Sequence, residues 1–398
     1  MPLASPTTYA DYRQLFAGCA LPLAYVDLDR LEANGQAMAE RARHLPIRVA
    51  TKSIRSVGIL RHILEQIPGI QGLMCYNAAE AAYLASQGFV DLLIAYPTLD
   101  QNAIRACGDA VRRGTRITFM VDCTEHLALL QQAAQAQDLS LRVCFDLDVS
   151  ESLPGLHFGV QRSPLRTTDA VLALYRQLAQ HDRLQLVGLM AYEAQIAGVP
   201  DNAPHQTARN QIIRGLKAYS LPRIARRREA AVTALTQAGA RLEFVNGGGT
   251  GSLQTTSREA VITEVAAGSG FFAPHQFDHY QAFRLQPAAG FALPVVRIPE
   301  PGLVTCAGGG YIASGPAAPE KMPQVFLPDD GRLLATEGAG EVQTPVRTSQ
   351  PLQVGDPVFF RHAKAGELCE HFQQLWLIRG GQIIGSASTY RGDGQCFL

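Results

Sequence analysis

Ile47-Arg48-Val49-Ala50-Thr51-Lys52-Ser53 is followed closely by Val57-Gly58-Ile59-Leu60-Arg61-His62-Ile63-Leu64-Glu65-Gln66. The first stretch, short, apolar and β-branched, reads as a buried strand; the second, with its apolar residues at helical spacing, reads as a helix. The same pairing recurs along the chain. Strands are expected at 23–28, 47–50, 72–75, 91–95, 117–121, 141–146, 186–190 and 242–245, with helices at 31–42, 57–66, 78–87, 101–113, 124–137, 168–179 and 208–238. Repeated strand-helix units force parallel strands with right-handed crossovers, and eight of them can close and leave no sheet edge. The pattern predicts an α/β chain with a (β/α)8 TIM-type barrel. A doubly wound open sheet is the alternative, but the pattern offers no clear place for the strand order to reverse.

The texture changes after about residue 284, where prolines, glycines and short β-rich runs replace long helices. Strands are expected at 292–298, 303–307, 324–327, 358–362, 374–379 and 382–384, which together predict a separate C-terminal antiparallel β domain. The expected division is 1–20 as an N-terminal extension with a short helix, 21–284 as the barrel and 285–398 as the β domain.

Of the 398 residues 47% are hydrophobic and 18% charged, enough for a large core and unlike a disordered chain. Lys plus Arg and Asp plus Glu each total 35, so no positive excess draws the chain to a phosphate backbone, and a nucleic-acid partner is not expected. Residues 1–12 carry neither a basic nor an apolar leader segment, and no apolar run is long enough to span a membrane. The eight cysteines are scattered without a CxxC pair, and several sit in apolar strands, which fits the reducing cytoplasm. A cytoplasmic protein without a membrane partner is expected.

Lys52 stands at a strand end, either as a solvated cap or as a hidden amine. A partly desolvated amine near other cations has a lowered pKa and can form a Schiff base with an aldehyde. Far along the chain, Phe244-Val245-Asn246-Gly247-Gly248-Gly249-Thr250-Gly251-Ser252 is again a strand, opening into glycines whose bare N–H groups can surround a phosphate. An amine and a phosphate cradle, both at strand ends, point to pyridoxal 5′-phosphate.

Five landmarks then fall in order: Tyr25-Val26-Asp27-Leu28-Asp29, Ala50-Thr51-Lys52-Ser53, Gly188-Leu189-Met190-Ala191-Tyr192-Glu193, Asn246 to Ser252, and Thr263-Glu264-Val265-Ala266-Ala267-Gly268-Ser269. On these the chain resembles the alanine-racemase-like, fold-type III pyridoxal-phosphate enzymes, and most closely the D-threonine aldolase and D-serine dehydratase branch. The resemblance spans roughly residues 20 to 390. It implies that Lys52 holds the cofactor and moves the Cα proton, and that Gly248, Gly249, Thr250, Gly268 and Ser269 cradle the phosphate. It places Tyr192 and Tyr280 near the ring or phosphate, with a structural role open for either.

The chain also departs from the pattern. His157 stands where relatives carry an arginine, and Arg162 is the candidate to supply the missing charge. Glu193 and Gln195 follow Tyr192 where relatives read Tyr-x-Gly-His. Metal-dependent relatives place His-x-Asp or His-x-Cys where this chain has His362 and Lys364. A protonated amine cannot ligate a metal, so either His362, Glu367 and Cys369 form a rearranged divalent-metal site, or Lys364 replaces the ion's charge beside His362.

By resemblance the expected activity is a lyase that cleaves a β-hydroxy-D-amino acid to an aldehyde and glycine, with a homodimer as the working form. The alternatives are D-serine-type dehydration, racemisation and a non-catalytic pyridoxal-phosphate regulator.

Overall fold

The computed structural model describes residues 7–315, 318–364 and 366–397. Compact grouping divides the chain into one unit of residues 38–52, 67–268 and 397–398 and another of residues 1–37, 53–66 and 269–396. This differs from a continuous division at 284, because the second unit draws on both ends of the chain. Of the expected 1–20 extension, residues 1–6 lie outside the described residues, and Tyr9–Leu15 forms the short helix.

The first unit is a closed barrel of eight parallel strands, as expected. Around it run Ile47–Ala50, Ile70–Cys75, Asp91–Ile94, Arg116–Val121, Leu141–Asp146, Leu184–Ala191, Phe244–Gly247 and Glu264–Ala267. The returning helices start on side-chain caps that satisfy otherwise orphaned N–H groups. Asn77 accepts from the Glu80 N–H at 2.8 Å, Asp100 from Asn102 at 2.9 Å and Thr167 from Ala170 at 3.2 Å.

One expected barrel strand belongs elsewhere. Leu23–Asp27 pairs antiparallel with Ala289–Glu300 and parallel with Gln374–Arg379, inside the second unit's sheet. Its place in the barrel is taken by Glu264–Ala267, which bridges Phe244–Gly247 and Ile47–Ala50. The exchange turns on a charge. Glu264 is 3% exposed, and it is tolerated because Arg48 meets it at 2.8 Å and Asn246 donates to it at 2.8 Å. Arg48 also reaches Asp91 at 3.1 Å.

Apolar packing fills the rest of the interior. Leu93, Met120, Cys144, Val187, Met190 and Phe244 form one buried cluster. Gly188 is required there, since a Cβ on it would lie 2.2 Å from the Phe244 ring.

The second unit carries a nine-stranded sheet. All its pairings are antiparallel except that between Leu23–Asp27 and Gln374–Arg379. Tyr12 and Phe16 pack on Leu23, Tyr25, Phe359 and Ile378 of that sheet, which anchors the N-terminal helix. Among the described residues, no helix is long and apolar enough to cross a membrane, and eight cysteines are free.

Candidate active site

Lys52 lies in a single 3-10 turn, Thr51–Ser53, directly after Ile47–Ala50. Thr51 anchors that turn by donating from Oγ1 to the Met74 carbonyl at 3.0 Å. The amine is not hidden, because Lys52 is exposed at the carboxyl rim of the barrel. It is held by a hydrogen bond, Nζ donating to the Tyr96 hydroxyl at 3.1 Å. Tyr96 stands just past Asp91–Ile94, so two strand ends deliver this pair.

Arg162 joins them, its guanidinium carbon 5.7 Å from the centre of the Tyr96 ring. Burial opposes ionisation of Tyr96, but the charges and hydrogen bonds of Lys52 and Arg162 outweigh it and bring the phenol below its ordinary 10. At the end of the strand Leu141–Asp146, burial and the carboxylates of Asp122 and Asp148 push Asp146 up to about 7, against the pull of Arg162. Burial raises Tyr192 above its ordinary value, with Glu193 and Tyr96 adding to it.

The glycine-rich turn follows Phe244–Gly247, on a strand two places from that of Lys52 around the barrel. Each glycine has its own reason. A Cβ on Gly247 would meet Arg228 Nη2 at 2.9 Å, Gly248 has φ +85°, and a Cβ on Gly249 would stand 2.8 Å from Ala197 and 3.2 Å from the Tyr192 ring. Behind the turn sits Glu193, 1% exposed. It accepts from the Gly248 N–H at 3.0 Å, from the Ser252 hydroxyl at 2.6 Å and from the Thr256 hydroxyl, and it pairs with Arg228.

The donors of the turn are in part already engaged within the chain. The Gly248 N–H and the Ser252 hydroxyl are engaged by Glu193, and the Gly249 N–H donates to Ser252 Oγ at 3.1 Å. The Thr250 carbonyl accepts from Arg41 at 2.7 Å. Tyr192 lies against Gly249, beside the turn.

His157 departs from expectation too. It sits in a small hairpin of Glu151–Leu153 and Leu156–Phe158, bonded through Nδ1 to Ser152 at 3.2 Å, while Arg162 is the residue that reaches Tyr96. Gln195 is spent on the Val149 carbonyl at 2.8 Å, and Asn77 is a helix cap.

In the second unit, Ser269 Oγ lies 3.1 Å from Ser53 Oγ, just past Gly268 and the last barrel strand. Tyr280 is 1% exposed and stacks on Phe277 at 5.4 Å, so it sits in an aromatic core. His362 is 2% exposed, and neither of its ring nitrogens has a hydrogen-bond partner. Burial, helped by Arg361 and His275, lowers it to about 3, so it is neutral at physiological pH. Lys364 donates to Ser314 Oγ at 3.2 Å, and Glu367 accepts from the Ser314 N–H at 3.1 Å.

The ligand atoms of His362, Glu367 and Cys369 do not gather. Among the described residues, one group of His, Cys, Asp or Glu has all its ligand atoms within 4.8 Å of one another, and it is Asp122, Cys123 and His126 in the barrel unit. Burial pushes the Cys369 thiol up to about 12. The expected rearranged metal site is therefore not formed by these residues.

Sequence reading passed over Tyr96, Asp146 and Arg228. A signal existed for the first two: each closes an apolar barrel strand, where reactive groups collect. Arg228 had none, because it lies inside the 31-residue helix Thr207–Gln237 within a run of arginines that reads as a solvated face.

A parallel barrel thus carries a lysine and a glycine-rich turn at its carboxyl rim. The chain belongs to the alanine racemase N-terminal domain family, matched over residues 26–273. It is 27% identical over 253 residues to the 3-hydroxy-D-aspartate aldolase of Paracoccus denitrificans (strain Pd 1222), covering 63% of this chain and 60% of that one. The chain thus spans about 60% of the length of the curated relatives it matches first.

Its fold is similar to that of the D-threonine aldolase from Filomicrobium marinum, with TM-score 0.79, 18% identity and coverage of 95% and 96% of the two chains. It is also similar to D-threo-3-hydroxyaspartate dehydratase from Delftia sp. HT23, with TM-score 0.73, 18% identity and coverage of 96% and 99%. The resemblance and the barrel plus sheet architecture expected from sequence are borne out.

Proposed function

We propose that this chain is a pyridoxal-phosphate lyase that cleaves a β-hydroxy-D-amino acid to an aldehyde and glycine. The observation that carries this is the Lys52 amine, presented at the carboxyl rim 3.1 Å from Tyr96. A glycine turn that cannot tolerate a Cβ lies two strands away. The aldolase relative supports the choice of reaction.

Lys52 would hold the cofactor's aldehyde carbon, and the Thr250 end of the glycine turn, beyond the Gly248 and Gly249 N–H groups already bonded within the chain, would with Gly268 receive its phosphate. Bound there, pyridoxal phosphate supplies an electron sink for the pair left on Cα when a bond to that carbon breaks. The chain does the rest. A general base would take the β-hydroxyl proton as the Cα–Cβ bond opens, and Lys52 would return one proton to Cα, so that one proton leaves oxygen, one reaches carbon, and aldehyde plus glycine account for every atom. Tyr96 holds Lys52 Nζ in place and exchanges a proton with it.

Product analysis with D-threonine and D-serine tests the reading. Aldehyde plus glycine supports it; oxo acid plus ammonia would make the chain a dehydratase instead. Because the ligand atoms of His362, Glu367 and Cys369 form no common group among the described residues, a chelator such as EDTA is expected to change turnover by less than about twofold. Loss of activity restored by one divalent ion would reject that.

Tyr96→Phe is expected to lower kcat/KM by about a hundredfold, the low end of the usual range for a positioned acid or base. It should also remove, from the tyrosine absorbance titration, a phenol that ionises below 10. An unchanged titration curve would place the acidic phenol elsewhere.

A further inference from the structure

Glu193 is a buried carboxylate that the proposed reaction does not use. It follows the strand Leu184–Ala191, and the glycine turn follows Phe244–Gly247, the next strand around the barrel. From there it takes three donors of the turn and the segment after it: the Gly248 N–H at 3.0 Å, the Ser252 hydroxyl at 2.6 Å and the Thr256 hydroxyl.

A carboxylate directly behind an anion-receiving turn ought to repel the anion. Arg228 removes that objection. Fully buried, it pairs with Glu193, donates to the Ala191 carbonyl at 2.6 Å and meets Glu259 at 2.5 Å. Burial opposes charge on Glu193, yet Arg228 and the three hydrogen bonds outweigh it and keep the group ionised. A neutralised, four-fold bonded carboxylate is rigid.

We infer that Glu193, backed by Arg228, is the positioning residue for phosphate recognition: by engaging Gly248, Ser252 and Thr256 from behind, it holds the turn in the one conformation that receives the cofactor's phosphate. This rests on the proposed cofactor and goes beyond it, since the cofactor alone does not say what shapes its cradle. Glu193 touches no reacting atom. Its effect must appear in recognition of the phosphate and not in recognition of the ring.

The test compares two ligands that differ only in that group. Cofactor-free wild type, Glu193→Gln, Ser252→Ala and Thr256→Val are titrated with pyridoxal 5′-phosphate and with pyridoxal, following the Schiff-base absorbance. Wild type should prefer the phosphorylated form. Glu193→Gln should lose about ten- to a hundredfold of that preference, the scale of a lost charged hydrogen bond, while pyridoxal affinity moves less than about threefold. Ser252→Ala and Thr256→Val should lose less, in the same direction. If Glu193→Gln yields no folded protein, the two hydroxyl variants decide the outcome.

An unchanged preference in the variants overturns the inference, and so does an equal fall in affinity for both ligands, which would mark general damage. A wild type that does not distinguish the two ligands overturns the cofactor reading and this inference with it, a failure visible before any variant is made.

Discussion

Lys52→Ala is expected to leave a folded protein that no longer carries a borohydride-reducible chromophore and whose turnover falls by about four orders of magnitude, since one side chain supplies both the covalent link and the Cα proton. Stability should hardly change. The side chain is exposed, and its bond to Tyr96 is a surface-accessible one, so the shift should stay within about 0.5 kcal/mol. Borohydride reduction followed by peptide mapping is the decisive measurement on the wild type. Label on the peptide containing Thr51-Lys52-Ser53 supports the assignment, and label elsewhere, or full activity in the alanine variant, removes it.

Arg228→Ala should produce the largest loss of stability. The side chain is completely buried between Glu193 and Glu259, and removing it strands the fully buried Glu193 carboxylate and takes from the partly buried Glu259 its arginine partner. Breaking a buried pair in this way costs about 3–5 kcal/mol, and urea denaturation at neutral pH reads it. The pH dependence carries a sign. In the wild type Glu193 is held below its ordinary 4.5, so its contribution is present above 4.5 and is lost as pH falls through the lowered value. Without Arg228 the burial remains and the compensation is gone, so the same carboxyl prefers to be protonated. The gap between variant and wild type should therefore be widest at neutral pH and narrow on acidification, and Glu193→Gln added to Arg228→Met should recover part of the loss. A gap that stays constant with pH would mean that the loss comes from packing alone.

Much of the barrel was legible because a parallel strand buried on both faces must be nearly all apolar, and a helix that covers it must carry one apolar stripe. Those two periods identified most elements to within a few residues. They do not encode partners. Leu23–Asp27 is fully buried in the sheet of the second unit, and nothing in its apolar run distinguishes that setting from a barrel stave. Glu264–Ala267 is not among the expected strands, and the burial of its leading charge becomes intelligible only when Arg48 and Asn246 are seen beside it.

The candidate site divides in the same way. Lys52 and the glycine run are local signals, a cation at a strand end and a turn that needs bare backbone. Tyr96, Arg162 and Asp146 acquire meaning by convergence, since strands remote in sequence bring their ends to one rim. His157 is bonded to Ser152 within a local hairpin, and Tyr280 stacks within an aromatic core, surroundings that the sequence does not show. His362, Glu367 and Cys369 are close in sequence, yet their ligand atoms form no common group among the described residues.

The order of residues along this chain was enough to determine the alternation of elements, the barrel class, and the amine and glycine turn at strand ends, because each depends on neighbours within one or two turns of backbone. Tertiary structure alone decided which strand closes the barrel, which phenol holds the amine, and that Glu193 and Arg228 stand behind the turn. Those outcomes depend on charges being brought out of water together, and a buried charge is stable only beside partners that lie far away in sequence.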